Sequence, residues 1–133
     1  MKTIKLITFT LLFALIAIQT NAQTNEISSE LIAALDNCDA STINESLGQN
    51  VELVIGNKND IFSKQQASGI ISDFFRTNKV NAFQLLHKGN KETASFAVGI
   101  LKTSNGSFRV YMLTRKQGTT SHIQQLRIEF TND

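Results

Sequence analysis

The chain is expected to fold as one α+β domain. Its sheet is read as curved and antiparallel, a four-stranded meander plus one or two short strands, with N-terminal helices on its concave face. Three observations lead there. Apolar residues recur at helical spacing through residues 26 to 75, the spacing changes to two from Val80 onward, and small turn-forming clusters interrupt that second half at regular intervals.

The first 22 residues stand apart from the domain. Lys2 and Lys5 precede a run of about 13 mostly apolar residues, Leu6 to Ile18, and then Gln19-Thr20-Asn21-Ala22. A positive start, a short apolar stretch and a small-residue end form the pattern of a secretory signal peptide. A membrane-spanning helix needs roughly 20 apolar residues, so the run is too short to remain as an anchor. Residues 1–22 are therefore read as a cleaved leader and 23–133 as a single domain, exported to the periplasm or the exterior. Of the 13 basic residues, Lys2 and Lys5 fall in the leader, so the remainder exactly balances the 11 acidic ones. A neutral domain lacks the electrostatic footprint of a nucleic-acid or anionic-membrane binder. Cys38 is the single cysteine, which excludes an intramolecular disulfide.

Ile27, Leu31, Ala34, Leu35 and Cys38 form one apolar helical stripe, giving a first helix over about 26–38. Cys38 is read there as a small buried apolar residue, since Asp36 and Asp39 disfavour a thiolate. Ile43 and Leu47, four apart, predict a short second helical piece ending at Gly48. Residues 51–55 alternate as a strand, 56–60 read as a turn, and Ile61-Phe62 as a very short strand. Ser63-Lys64-Gln65-Gln66 fits a capping box at the start of the clearest helix. Ala67, Ile70, Ile71, Phe74 and Phe75 form its apolar face.

Four strands follow, over about 80–88, 92–103, 107–116 and 121–131. Their register depends on loop length. We take a two-residue loop at Gly89-Asn90 and three-residue loops at Ser104-Asn105-Gly106 and Gly118-Thr119-Thr120. The inner face then collects Phe83, Leu85, Ala94, Phe96, Val98 and Ile100, with Val110, Met112, Leu126, Ile128 and Phe130 from the last two strands. The outer face collects Arg109, Tyr111, Arg115, Gln125, Arg127 and Glu129. This register sets Arg109 opposite Glu129 and Tyr111 opposite Gly99.

The same register gathers polar residues at one end of the inner face: His87 and Glu92 at the first hairpin, and Thr114, Lys116, His122 and Gln124 at the third. An apolar cavity with a polar mouth is the general form of a small-ligand site. These six are the expected ligand-binding residues. Arg109, Tyr111, Arg127 and Glu129 are the expected interface. No metal or cofactor site is predicted, because His87 and His122 sit on the outer two strands of the four, too far apart to share one ion. No nucleophile elbow or phosphate-cradling glycine run is present.

The order helix, short helix, strand, helix and curved meander resembles the nuclear-transport-factor-2-like fold, also called the cystatin-like cone. Phe62-Ser-Lys-Gln-Gln-Ala67 through Asp73-Phe74-Phe75 resembles one exported, uncharacterised family of that fold. So do His87-Lys-Gly89, Val98-Gly99, Phe108-Arg-Val-Tyr111 and Ile123-Gln-Gln-Leu-Arg-Ile-Glu129. That resemblance implies a fold and a location but no reaction. Ketosteroid isomerases and polyketide cyclases of the wider fold use a buried acid with a tyrosine or histidine partner. In this register the inner face holds no aspartate and no tyrosine, so only His87 with Glu92, or His122, remains as a base. The leading expectation is non-enzymatic binding of a small apolar ligand or a partner protein in the cone. The alternatives are an isomerase, dehydratase or cyclase using His87, and a structural homodimer.

Overall fold

The computed structural model describes residues 26–132, so the leader expected over 1–22 and the start expected near Gln23 lie outside the described residues. Within them the chain runs α1 (Ser29–Asp36), α2 (Ala40–Glu45), β1 (Leu47–Ile55), β2 (Lys58–Ser63), α3 (Lys64–Thr77), β3 (Val80–Lys91), β4 (Ala94–Thr103), β5 (Gly106–Gln117) and β6 (Thr120–Thr131). The six strands form one sheet in the order β2-β1-β6-β5-β4-β3. The α+β class holds, and the meander is present as β3 to β6. The sheet as a whole is mixed and six-stranded, because β1 runs parallel to β6.

That difference has a local origin. Leu47 continues the helical spacing of Ile43, yet the chain leaves the helix at Ser46. The Ser46 carbonyl accepts the Ile123 N–H at 2.8 Å, which draws Leu47 into register with Ile123. Leu47 and Gly48 thus begin a nine-residue strand instead of ending a helix. Likewise β2 starts at Lys58, so only Gly56-Asn57 turns between Ile55 and Lys58.

Each helix start is capped by a side chain. Ser28 accepts from the Glu30 N–H at 3.1 Å at α1. Asp39 caps α2, accepting from the Thr42 hydroxyl at 2.6 Å and the Thr42 N–H at 3.1 Å. Those two bonds, the hydroxyl first, hold the Asp39 carboxyl below its ordinary range. The capping box at α3 is present: the Ser63 hydroxyl oxygen accepts from the Gln66 N–H, and the Gln66 side-chain oxygen accepts from the Ser63 N–H, both at 3.2 Å. Ser63→Ala is expected to cost about 1 kcal/mol, read as a fall in the denaturant midpoint with an unchanged slope.

The helices cover one face of the sheet. Leu31 and Leu35 of α1, Ile43 of α2, and Ala67, Ile71, Phe74 and Phe75 of α3 pack on Leu53, Leu101, Val110, Met112, Leu126 and Ile128. Cys38 sits just beyond α1, with a φ of 57°, half-buried against this core. Among the described residues, no helix lies on the other sheet face.

The β5–β6 pairing is the expected one along its central part: Arg109 lies opposite Glu129, Val110 opposite Ile128, and Met112 opposite Leu126. The register of β4 is not. Its loop to β5 is two residues long, Ser104-Asn105, closing on the pair Thr103 and Gly106, with Gly106 at a φ of +119°. Asn105 donates from its side-chain amide to the Thr77 carbonyl at 2.8 Å and the Asn78 side chain at 3.0 Å, tying the turn to the end of α3. One residue fewer in the loop inverts the strand. Ala97, Gly99 and Leu101 therefore face the helices, and Phe96, Val98 and Ile100 face away. Tyr111 comes opposite Val98 instead of Gly99.

The first hairpin also moves. Its turn is Glu92-Thr93, closed by Lys91 and Ala94, with Glu92 at a φ of 57°. Gly89-Asn90 is strand, not turn. Gly89 serves close approach instead: a Cβ there would stand 2.7 Å from the Phe96 ring. A register shift between Leu85 and His87 then puts His87 opposite Val98, on the face away from the helices.

Candidate functional site

The open face of the sheet can be built row by row from the pairings. One row runs Asn59, Val54, Arg127, Tyr111, Val98 and His87. The next runs Ile61, Glu52, Gln125, Leu113, Phe96 and Gly89. Where the rows cross β4 and β5, the surface is apolar and aromatic. The Phe96 and Tyr111 rings stack at 6.4 Å between centroids, and His87 lies 5.4 Å from Phe96. Toward β6 the surface becomes charged with both signs. Arg127 donates to Glu129 at 3.0 Å, and Arg109 stands opposite Glu129.

A groove of about 530 Å³ opens on this face, between Tyr111 and the end of β6. Arg109, Tyr111, Arg127 and Glu129, the four residues expected at an interface, all line it. Gln125, Phe130 and Thr131 complete it. Phe130 is 64% exposed and ends a row of edge-to-face rings that begins in the core at Phe74 and passes through Phe108. Arg109 and Thr131 each have an interaction partner.

The six residues expected to form a ligand mouth do not form one. His87 lies on the open face, exposed, with its ring toward Phe96. Glu92 is in the first hairpin turn and exposed. Thr114 is buried, its hydroxyl donating to the Ser95 carbonyl at 3.4 Å. Lys116 is half-buried, its N–H bonded to the Thr93 carbonyl. The first and third hairpins do lie at one end of the sheet, as this bond requires. Only His122 and Gln124 share a cavity, and it is a different one.

That second groove measures about 570 Å³ and lies where β1 separates from β6. The parallel pairing jumps from Leu47–Ile123 to Glu52–Gln125, which leaves residues 48–51 bulged. In β6, Gln124 is itself an inserted residue, since Thr114 pairs with Ile123 and Leu113 with Gln125. The Gln124 side-chain oxygen accepts from the Arg115 guanidinium at 2.9 Å, and Arg115 also donates to the Thr93 hydroxyl at 3.2 Å. His122 lies 3.2 Å from the Thr120 hydroxyl through Nε2. Lys64, at the start of α3, reaches the rim and donates to the Glu45 carbonyl at 3.0 Å. Lys64, Gln49, Asn50, Arg115 and Gln117 were not read as one site, because no sequence period marks a double bulge.

The helix-covered interior is filled by side chains. Leu35, Ile71, Leu101, Met112 and Leu126 are all fully buried there. The second groove meets this core at Leu47 and Ile123. Among the described residues, no group of three or more histidine, cysteine or acidic side chains is placed to hold a metal ion.

A family model described as a domain of unknown function, DUF4783, matches residues 28–129. A DUF4783 family protein from Bacteroides ovatus ATCC 8483 is 32% identical, covers 83% of this chain and 100% of its own, and superposes with a TM-score of 0.78. One from Bacteroides uniformis ATCC 8492 is 34% identical, with 80% and 99% covered and a TM-score of 0.76. An NTF2-like protein from Cytophaga hutchinsonii ATCC 33406 is 10% identical, with 77% and 90% covered and a TM-score of 0.57, a likeness of fold alone. No curated protein matches the chain.

Proposed function

Starting from a chain that belongs to the DUF4783 family, with an NTF2-like fold, we propose that the protein is a non-enzymatic binding module whose working surface is the open face of its sheet. The partner it takes there is a second copy of itself. The observation that carries this reading is the composition of that face. Phe96, Tyr111, Val98 and Leu113 lie together with no helix of the described residues over them, beside a groove rimmed by Arg109, Arg127 and Glu129. Apolar centres with polar rims are the anatomy of protein interfaces. Charges of both signs on one patch suit a two-fold pairing, in which each arginine meets the partner's carboxylate. The balanced charge expected of residues 23–133 does not oppose self-association.

The cone version of ligand binding finds less support, since the interior is occupied by its own side chains. The reading of His87 as a base oriented by Glu92 loses its geometric basis, since His87 lines neither groove. We further propose that the protein is exported and that residues 1–22 are removed on the way.

Native mass spectrometry of the protein from its producing cells tests these together. The expected result is a dimer whose subunit mass begins near Gln23. Arg127→Glu should weaken that dimer by tenfold or more, about 1.4 kcal/mol, with the far-ultraviolet spectrum unchanged. A monomer at micromolar concentration would overturn the dimer, and an intact subunit mass would overturn the cleavage.

A further inference from the structure

We propose that the second groove, between the bulged start of β1 and the β5–β6 hairpin, is a binding site for a small hydroxylated anion, of the sugar-phosphate or sugar-acid class. It shares no lining residue with the open-face groove, so it stands independently of the dimer reading.

Charge is the first argument. The domain expected from residue 23 onward is neutral, yet Lys64, Arg115 and His122 converge on this one groove. Among the described residues that line it, none is aspartate or glutamate. Glu45 and Glu92 lie on flanking elements but do not line it, and Lys64 donates to the backbone carbonyl of Glu45. Arg115 donates to the Gln124 side-chain oxygen and the Thr93 hydroxyl, which hold it in place at the groove. Basic side chains that line one groove, with no acidic residue in its lining, draw an anion.

The second argument is the neutral remainder. Gln49, Asn50, Gln117 and Gln124 supply four carboxamides, each able to donate and accept. That pairing suits hydroxyl groups, which also do both. An anion without hydroxyls would take the cations and the amide N–H groups and leave the amide oxygens idle. Arg115 offers a planar fork for a phosphate or carboxylate, and the Gln124 bond already orients it.

The third argument is that the backbone opens the groove by construction. Two bulges face each other, one in β1 and one at Gln124 in β6, and bulges cluster beside functional sites. At Gly48 a Cβ would stand 3.3 Å from the Ile123 carbonyl oxygen, so the strand passes close at the groove floor.

The test is amide-resolved NMR titration of the mature protein with glucose 6-phosphate, sodium glucuronate, inorganic phosphate and glucose. Saturable shifts at Gly48, Gln49, Asn50, Ile123 and Gln124 are expected with glucose 6-phosphate or glucuronate. Whichever of the two binds more tightly identifies the anionic head. Arg115→Gln and Lys64→Gln should each weaken that binding about tenfold, as loss of a charge-assisted bond does, with the spectrum elsewhere retained. Equal binding of glucose would overturn the anion. Equal binding of inorganic phosphate would overturn the hydroxylated ligand. Unsaturable shifts spread over many surface lysines would overturn the site.

Discussion

Leu101→Ala is expected to destabilise the fold by about 2–5 kcal/mol, while Phe96→Ala, removing a larger side chain five residues earlier in the same strand, should cost only roughly 1–2 kcal/mol. Leu101 is fully buried between the sheet and the helices, so truncation leaves a cavity in a close-packed region. Phe96 is half-buried on the open face, where water and neighbouring side chains fill the space it leaves. The order of the two effects measures the register of β4. Had the strand taken a three-residue loop into β5, Phe96 would face the helices and the order would reverse. Paired urea unfolding curves decide it, and a larger loss for Phe96→Ala would refute the inverted strand.

Two glycine substitutions should move stability in opposite directions. At Gly99 a Cβ would stand 2.5 Å from the Gln84 carbonyl oxygen and 2.4 Å from the Phe83 ring. Side chains can turn aside, but a paired backbone cannot without disturbing the β3–β4 ladder. Gly99→Ala is expected to cost about 1–3 kcal/mol, the range of overpacked cores. At Gly69, inside α3 and exposed, nothing lies within 4 Å of the added atom. Gly69→Ala is expected to add about 0.5–1 kcal/mol, since alanine restricts the unfolded chain and suits the helix. Thermal midpoints on either side of the parent would support both. A neutral Gly99→Ala would mean that β3 does not press on β4 there.

The candidate sites were legible to different degrees. Arg109, Tyr111, Arg127 and Glu129 meet at one groove because they lie where the expected β5–β6 register holds, from Arg109 to Leu113. The ligand mouth failed because it needed all three loop lengths at once. All three loops closed away from the expected pairs, at Thr103 with Gly106, at Lys91 with Ala94 and at Gln117 with Thr120. His87 then landed on the opposite face, while His122 and Gln124 joined Arg115 and Lys64. Glycine misled in a specific way. Gly89 reads as a turn residue, but it is a strand position on which Phe96 lies.

By itself the sequence determined the α+β class, the helix start at Ser63, and the meander that follows α3. These rest on short-range physics: a cap acts within three residues, and periods of 3.6 and two show within one element. Only the tertiary structure decided the face of β4, the parallel seat of β1 against β6, and the groove between them. A strand's face turns on a single residue of loop length, which changes no local preference. The β1–β6 contact joins Leu47 to Ile123 across most of the domain, a separation that no local period spans.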